Sequence, residues 1–306
     1  MPELRPQPSD LERSIFRTVA WFSLSDYPVT GFEIWKWLLR PIVSYRLSEV
    51  RTVLQESAWL AERLENAGGF FVLKGGREFV QIRHDRYLDA ARKYKRLSFA
   101  LKYLARIPTM KTIAACNTLA WSNTTEASDI DLFIVTSSHR IWVTRLLAAF
   151  PFVLMRMRPG SHKRDPFCFS FFVTEHAQDL SCVRLHPDDV YLAQWVRSLV
   201  PVFDRGVFED FQIQNRWVHR LFPNAFAARV ARPRRTGQTR VWFAPLGLFE
   251  FVARFLQRRH LPERLRAQAN KDTRVVVHDN MLKFHDNDRR EEFLARWRAL
   301  CLNDAC

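Results

Sequence analysis

The sequence predicts an α+β protein: a central mixed α/β sheet with flanking helices, set between a small N-terminal domain and a helical C-terminal region. Three patterns carry this. The first residues repeat apolar positions at helical spacing and then break at Gly68-Gly69. The middle holds short apolar runs, TIAAC, IDLFIV and FCFSFFVT, separated by helical stretches. From about Pro187 onward the helical period returns. With 306 residues the chain has room for two or three units with real cores. The breaks predict units at 1–85, 86–200 and 201–306.

Taken in order, Ser9 is placed to cap a helix over 9–25, with Leu11, Ile15, Val19 and Phe22 on one stripe. DYPVT at 26–30 reads as a turn. Thr30 caps a second helix, Gly31 to Leu39, which Pro41 stops. A third helical region runs from Ser48 toward Asn66 and ends at Gly68-Gly69. FFVL and EFVQIR then predict a hairpin around Gly75-Gly76. Three helices and a hairpin in this span form the winged-helix pattern, which can set its third helix in a DNA major groove. Here that helix carries Glu49, Glu56, Glu62 and Glu65 beside Arg46, Arg51 and Arg63, a poor face for phosphates.

A basic helix over 85–106 leads to the stretch of most chemical interest, Thr112 to Thr136. A short strand, a polar turn at Asn117-Thr118 and a helix start precede a strand bearing Asp129 and Asp131. Residues two apart on a strand share a face, so both carboxylates project together. Like charges there raise each other's pKa, and a divalent cation removes that penalty. A solvated pair at a sheet edge is the plain alternative.

This layout resembles the signature of the DNA polymerase β-like nucleotidyltransferase superfamily, in which a Gly-Ser pair opens a helix and a D-x-D strand follows about ten residues on. Asn117 takes the place of the glycine and Thr118 that of the serine. The resemblance implies that Asp129 and Asp131 hold Mg²⁺ (or Mn²⁺). It implies that Asn117, Thr118 and Ser128 bind an NTP, and that a nucleoside monophosphate passes to an acceptor hydroxyl. It also implies a third carboxylate on a later strand. The strand FCFSFFVT offers Ser170 at its centre, so Glu175, just after it, is the candidate. Arg145, in the apolar helix predicted over 139–157, is a candidate partner for the phosphates. The runs LSDYPVTGFEIWKWL and LKFHDNDRR resemble segments of bacterial nucleotidyltransferase-like proteins with an N-terminal winged helix. The alternative reading is a catalytically degenerate member that binds nucleotide or nucleic acid as a regulator.

A net charge of +15 predicts attraction to nucleic acid, nucleotides or other polyanions. Arg229, Arg232, Arg234, Arg235 and Arg240 concentrate it in a basic linker. The five cysteines show no paired spacing, which predicts reduced thiols and a cytoplasmic protein. The most apolar run, Leu146 to Met155, is too short to span a bilayer. Further on, 187–200 reads as a helix, PVFD leads into another through about Leu221, and Val241 to Arg259 is a mostly apolar helix. RVVVH at 274–278 is a short strand or a lead-in to DNMLKFHDNDRREEFLARW, which predicts a closing amphipathic helix. In it, Lys283, His285 and Arg289 could face a phosphate.

Overall fold

The computed structural model describes residues 7–160, 164–228, 234–237 and 246–303. Capping boxes set the first two helix starts. The Ser9 hydroxyl accepts from the Glu12 N–H while Glu12 reaches back to the Ser9 N–H, opening α1 (Asp10–Ser23). Thr30 and Glu33 do the same for α2 (Gly31–Lys36), just after the short β1 (Val29–Thr30). The third helical region is shorter than its period suggested. α3 (Leu47–Glu56) stops at Ser57, whose hydroxyl caps a single turn, α4 (Ala58–Ala61).

The hairpin is displaced from its predicted place. It joins β2 (Leu64–Ala67) to β3 (Phe70–Leu73) through Gly68 and Gly69, at φ 63° and 88°. Two successive positive φ values are what a tight two-residue turn requires. EFVQIR instead leads into α5 (Phe79–Leu104), whose Ala90, Tyr94, Leu97, Leu101 and Leu104 are buried at helical spacing. The three N-terminal strands pair antiparallel in the order β1-β3-β2.

The central sheet draws on the rest of the chain. β4 (Met110–Ala115), α6 (Asn117–Ala120), β5 (Ile130–Thr136), α7 (Ile141–Leu154) and β6 (Phe167–Thr174) come first. Then follow α8 (Val190–Ser198), β7 (Val200–Asp204), α9 (Phe208–Gln214), α10 (Glu250–Arg259) and α11 (Glu263–Gln268). β8 (Val275–His278), β9 (Met281–Phe284) and α12 (Arg290–Asn303) end it. The six strands run β7-β4-β5-β6-β9-β8. Only β5 and β6 are parallel. PVFD is thus an edge strand rather than a lead-in, and MLKF is a strand rather than part of the last helix. Short buried apolar runs carry no period that separates strand from helix. The basic positions Arg229, Arg232 and Arg240 lie outside the described residues.

Both faces of the sheet are covered. Ile113, Leu132, Ile134 and Phe172 pack against α5 and α7. Ala114, Phe133, Val135 and Phe171 pack on the other face with α8, α9, α12 and the N-terminal helices, in one continuous core. No helix among the described residues is long and apolar enough to cross a membrane.

One buried charge cluster ties α5 to the sheet. The Lys93 ammonium is fully buried and lies 2.5 Å from the Asp165 carboxylate, itself 1% exposed, and 3.4 Å from Asp89. Arg92 also bonds Asp165, and Asp89 accepts from the Thr124 hydroxyl at 2.7 Å. Burial alone would raise the Asp165 pKa, but the bonds from Arg92 and Lys93 outweigh it and bring it down to about 2. A depressed carboxyl stabilises the fold above its unfolded pKa and loses that contribution as pH falls toward the folded one. Asp165→Asn should therefore cost about 3–5 kcal/mol at neutral pH, read from urea midpoints. The gap to wild type should close as pH falls from about 4 toward 2. Equal midpoints at neutral pH would show the cluster to be dispensable.

Candidate functional site

Asp129 immediately precedes β5, and Asp131 is the second residue of that strand. Alternation puts Asp131 on the face of Phe133 and Val135, toward the N-terminal helices. Across the parallel pair, Asp131 stands opposite Cys168 of β6. Two residues further on, Phe133 stands opposite Phe171, so β6 carries one extra residue in between. This bulge lets Cys168 and Phe171 share a face. Asp129, Asp131 and Cys168 each bring one ligand atom within 4.8 Å of the others.

Close packing of these groups changes their proton affinities. Burial, and then the Asp129 charge, push the Asp131 pKa up to about 6, against a hydrogen bond from Asn117. Asp129 is raised by burial, with Lys93 and Arg158 opposing. Burial and the Asp131 charge push the Cys168 thiol up to about 12, so it stays protonated. The two carboxylates fit a hard cation such as Mg²⁺ or Mn²⁺, and the neutral thiol adds no hard donor.

Asn117 links this pair to a cleft. Its backbone is left-handed, φ 52°, a conformation that asparagine tolerates better than most residues. Its Oδ1 accepts from the Trp195 indole at 2.8 Å, which leaves its NH₂ for Asp131. Asn117, Thr118 and Ser128 line a cleft of about 370 Å³ whose aromatic walls include Trp21, Trp121, Tyr191 and Trp195. Arg86 and Arg289 bring cations to it. A second hollow of about 270 Å³ shares Asn117 and Arg289 and adds Lys283 and His285. His285 is bonded to the Ser170 hydroxyl at 3.1 Å, and burial lowers its pKa to about 3.

Gln194 also lines the cleft and is 3% exposed. Its Oε1 accepts the Trp21 indole N–H, a group that can only donate, so the amide orientation is fixed. Its Nε2 is left buried without a partner among the described residues. An unmatched buried donor costs about 1–3 kcal/mol, and a ligand acceptor would relieve it.

Two predicted site residues lie elsewhere. Glu175 follows Thr174, which pairs with Thr136 at the far end of β5. Thr136 is five strand positions from Asp131, roughly 17 Å at the usual rise. Its carboxylate accepts from the Ser138 N–H at 3.1 Å and pairs with Lys111 at 3.2 Å. Cys168 holds the place beside the aspartates. Arg145 does not line the cleft. α7 covers the opposite face of the sheet, and the guanidinium donates to Gln257 at 2.6 Å and lies over Phe284. Gln194, Trp21, Tyr191 and Trp121 had no motif to announce them, because the cleft gathers them from separate elements.

No family model, curated protein or solved structure matches this chain. The nucleotidyltransferase resemblance of Asn117 to Asp131 therefore rests on those residues alone.

The site carries its own stability signature. A carboxyl whose folded pKa is raised destabilises the fold increasingly as pH climbs through its unfolded value toward the folded one. For Asp131 that penalty is at most about 3 kcal/mol. Asp131→Asn should raise the urea midpoint of the ligand-free protein above pH 6, and the gain should vanish near pH 4. A destabilised variant at high pH would mean that the charge is compensated.

Proposed function

We propose that the cleft binds a nucleoside triphosphate together with Mg²⁺ or Mn²⁺, and that the protein transfers a nucleoside monophosphate from it to an acceptor hydroxyl. The observation that carries this reading is the double engagement of Asn117, which lines the cleft and holds Asp131. The carboxylates themselves do not line the cleft, so Asn117 is the link between Asp131 and this ligand-sized, aromatic-walled space.

A bound divalent cation would neutralise the acidic pair and polarise the phosphates. The chain supplies the rest. The indole and phenol faces of Trp21, Trp121 and Tyr191 offer stacking surfaces for a base. The free NH₂ of Gln194 offers a donor to a base or sugar oxygen. Arg86, held by the Ser25 carbonyl at 3.0 Å, and Arg289 bring positive charge to the phosphates, and Thr118 a hydroxyl. Asn117 holds the Asp131 carboxylate in place by a hydrogen bond, so that it would meet the cation in a fixed orientation.

A second reading is nucleotide binding without transfer, in a regulator. Cys168 favours it, since a protonated thiol stands where a third carboxylate would complete the site. In the N-terminal unit, the order helix, strand, two helices, a single helical turn and a hairpin supports the winged-helix reading. Its α3 presents Glu49, Arg51 and Glu56 outward, a mixed face that favours packing over duplex binding.

Calorimetry with each NTP, with and without Mg²⁺, tests the first reading. Wild type should bind only with the cation, and Asp129→Asn/Asp131→Asn should abolish binding. Gln194→Leu should weaken it about tenfold, the loss of one buried hydrogen bond. Absence of cation-dependent binding by folded wild type would end the transfer reading, and absence of any NTP binding would end both. Binding without transfer of label from an α-labelled NTP to any acceptor would favour the second.

A further inference from the structure

α10 is built inside out. Its inward face is polar. The Glu250 carboxylate accepts from the Trp142 and Val143 N–H groups at 3.0 and 2.9 Å, at the start of α7. Gln257 donates to the Trp142 carbonyl at 2.7 Å and accepts from Arg145. Ala253 is the one buried residue of the helix. The outward face and its lead-in are apolar. Leu248, Phe249, Phe251, Val252, Phe255 and Leu256 are each between 41% and 79% exposed. A surface helix ordinarily shows the reverse arrangement. The sequence pattern expected these positions to form an ordinary apolar helix, and its polar residues took the inward places because Glu250 and Gln257 satisfy backbone groups of α7.

The charge on the same helix is of one sign at its end. Arg258 and Arg259 are exposed and have no acidic partner among the described residues. Arg254 is held by Asp279 at 2.9 Å.

We propose that the outer face of α10 is a peripheral docking surface for an anionic lipid bilayer. Side chains of Phe, Leu and Val placed beside unpaired arginines match an interface where acyl chains lie under acidic headgroups. A second copy of this chain could cover the stripe. It would also have to bring together two chains that each carry a net charge of +15. A nucleic acid would pair with the arginines and leave six apolar side chains in water. An acidic bilayer meets both demands at once.

The test is co-sedimentation of the full chain with vesicles of phosphatidylcholine alone, or of phosphatidylcholine mixed with phosphatidylglycerol, at low and high salt. The protein should partition onto the acidic vesicles and far less onto the neutral ones. Phe251→Glu/Phe255→Glu should lower that partition about tenfold or more. Arg258→Glu/Arg259→Glu should lower it too, and should flatten its salt dependence. These side chains point outward, so both variants should keep the wild-type thermal midpoint. If the Phe variant fails to fold, the Arg variant decides. Equal partition of wild type and variants, or no partition of wild type onto acidic vesicles, would overturn the proposal. So would a concentration-dependent dimer, dissolved by Phe251→Glu/Phe255→Glu, in a protein that ignores vesicles.

Discussion

A single ammonium group, that of Lys93, organises the half of the molecule that bears the aspartates. It has no access to water, and a charge so placed is costly unless opposite charge matches it. Asp165 and Asp89 match it. Asp165 sits one residue before Pro166, whose carbonyl accepts from the Ile130 N–H at 2.8 Å, between the two aspartates of the motif. Asp89 in turn holds Thr124, in the loop that approaches Asp129. The ammonium thus fixes where β5 and β6 begin. Its field also reaches Asp129 and eases the charge of that carboxyl.

The site built on this base is a set of compromises. Asp131 is held among groups that raise its proton affinity, and Asn117 offsets part of that with one hydrogen bond. Asn117 is itself held by Trp195, which stacks on Phe171 and meets Phe133 edge-on. The carboxylate pair is therefore backed by an aromatic layer rather than by water. A rigid backing of this kind keeps donor and acceptor positions fixed without a ligand, at the cost of poor solvation for the charges.

Much of the centre of the molecule was legible in the sequence. FCFSFFVT is a continuous apolar run and forms β6 over those same residues. The spacing of Asp129 and Asp131 implied a shared face, and their ligand atoms do lie together. Pairings between distant strands were not legible. Nothing local distinguishes Cys168 from Glu175 as the neighbour of Asp131, because register is set by the whole sheet and here by a bulge. MLKF was absorbed into a helix because four buried residues have no readable period. In α10 the apolar residues were visible but their direction was not. Two polar side chains that satisfy α7 turned the helix over.

Helices α1 and α12, far apart in sequence, meet at the cleft. Trp21 of α1 packs edge-on against Trp297 of α12, and the Trp297 indole donates to the Arg17 carbonyl at 3.0 Å. Trp21 and Phe293 both wall the cleft, and Arg289 lies beside them. The contact between Arg17 and Trp297 spans 280 residues of sequence. During synthesis, α1 emerges with its indole face bare, and Trp297 follows Arg17 only after 280 residues. Closure of so long a loop is slow compared with local helix formation. The cleft is consequently among the last features to mature, and a chain released early would display its aromatic lining as an adhesive surface.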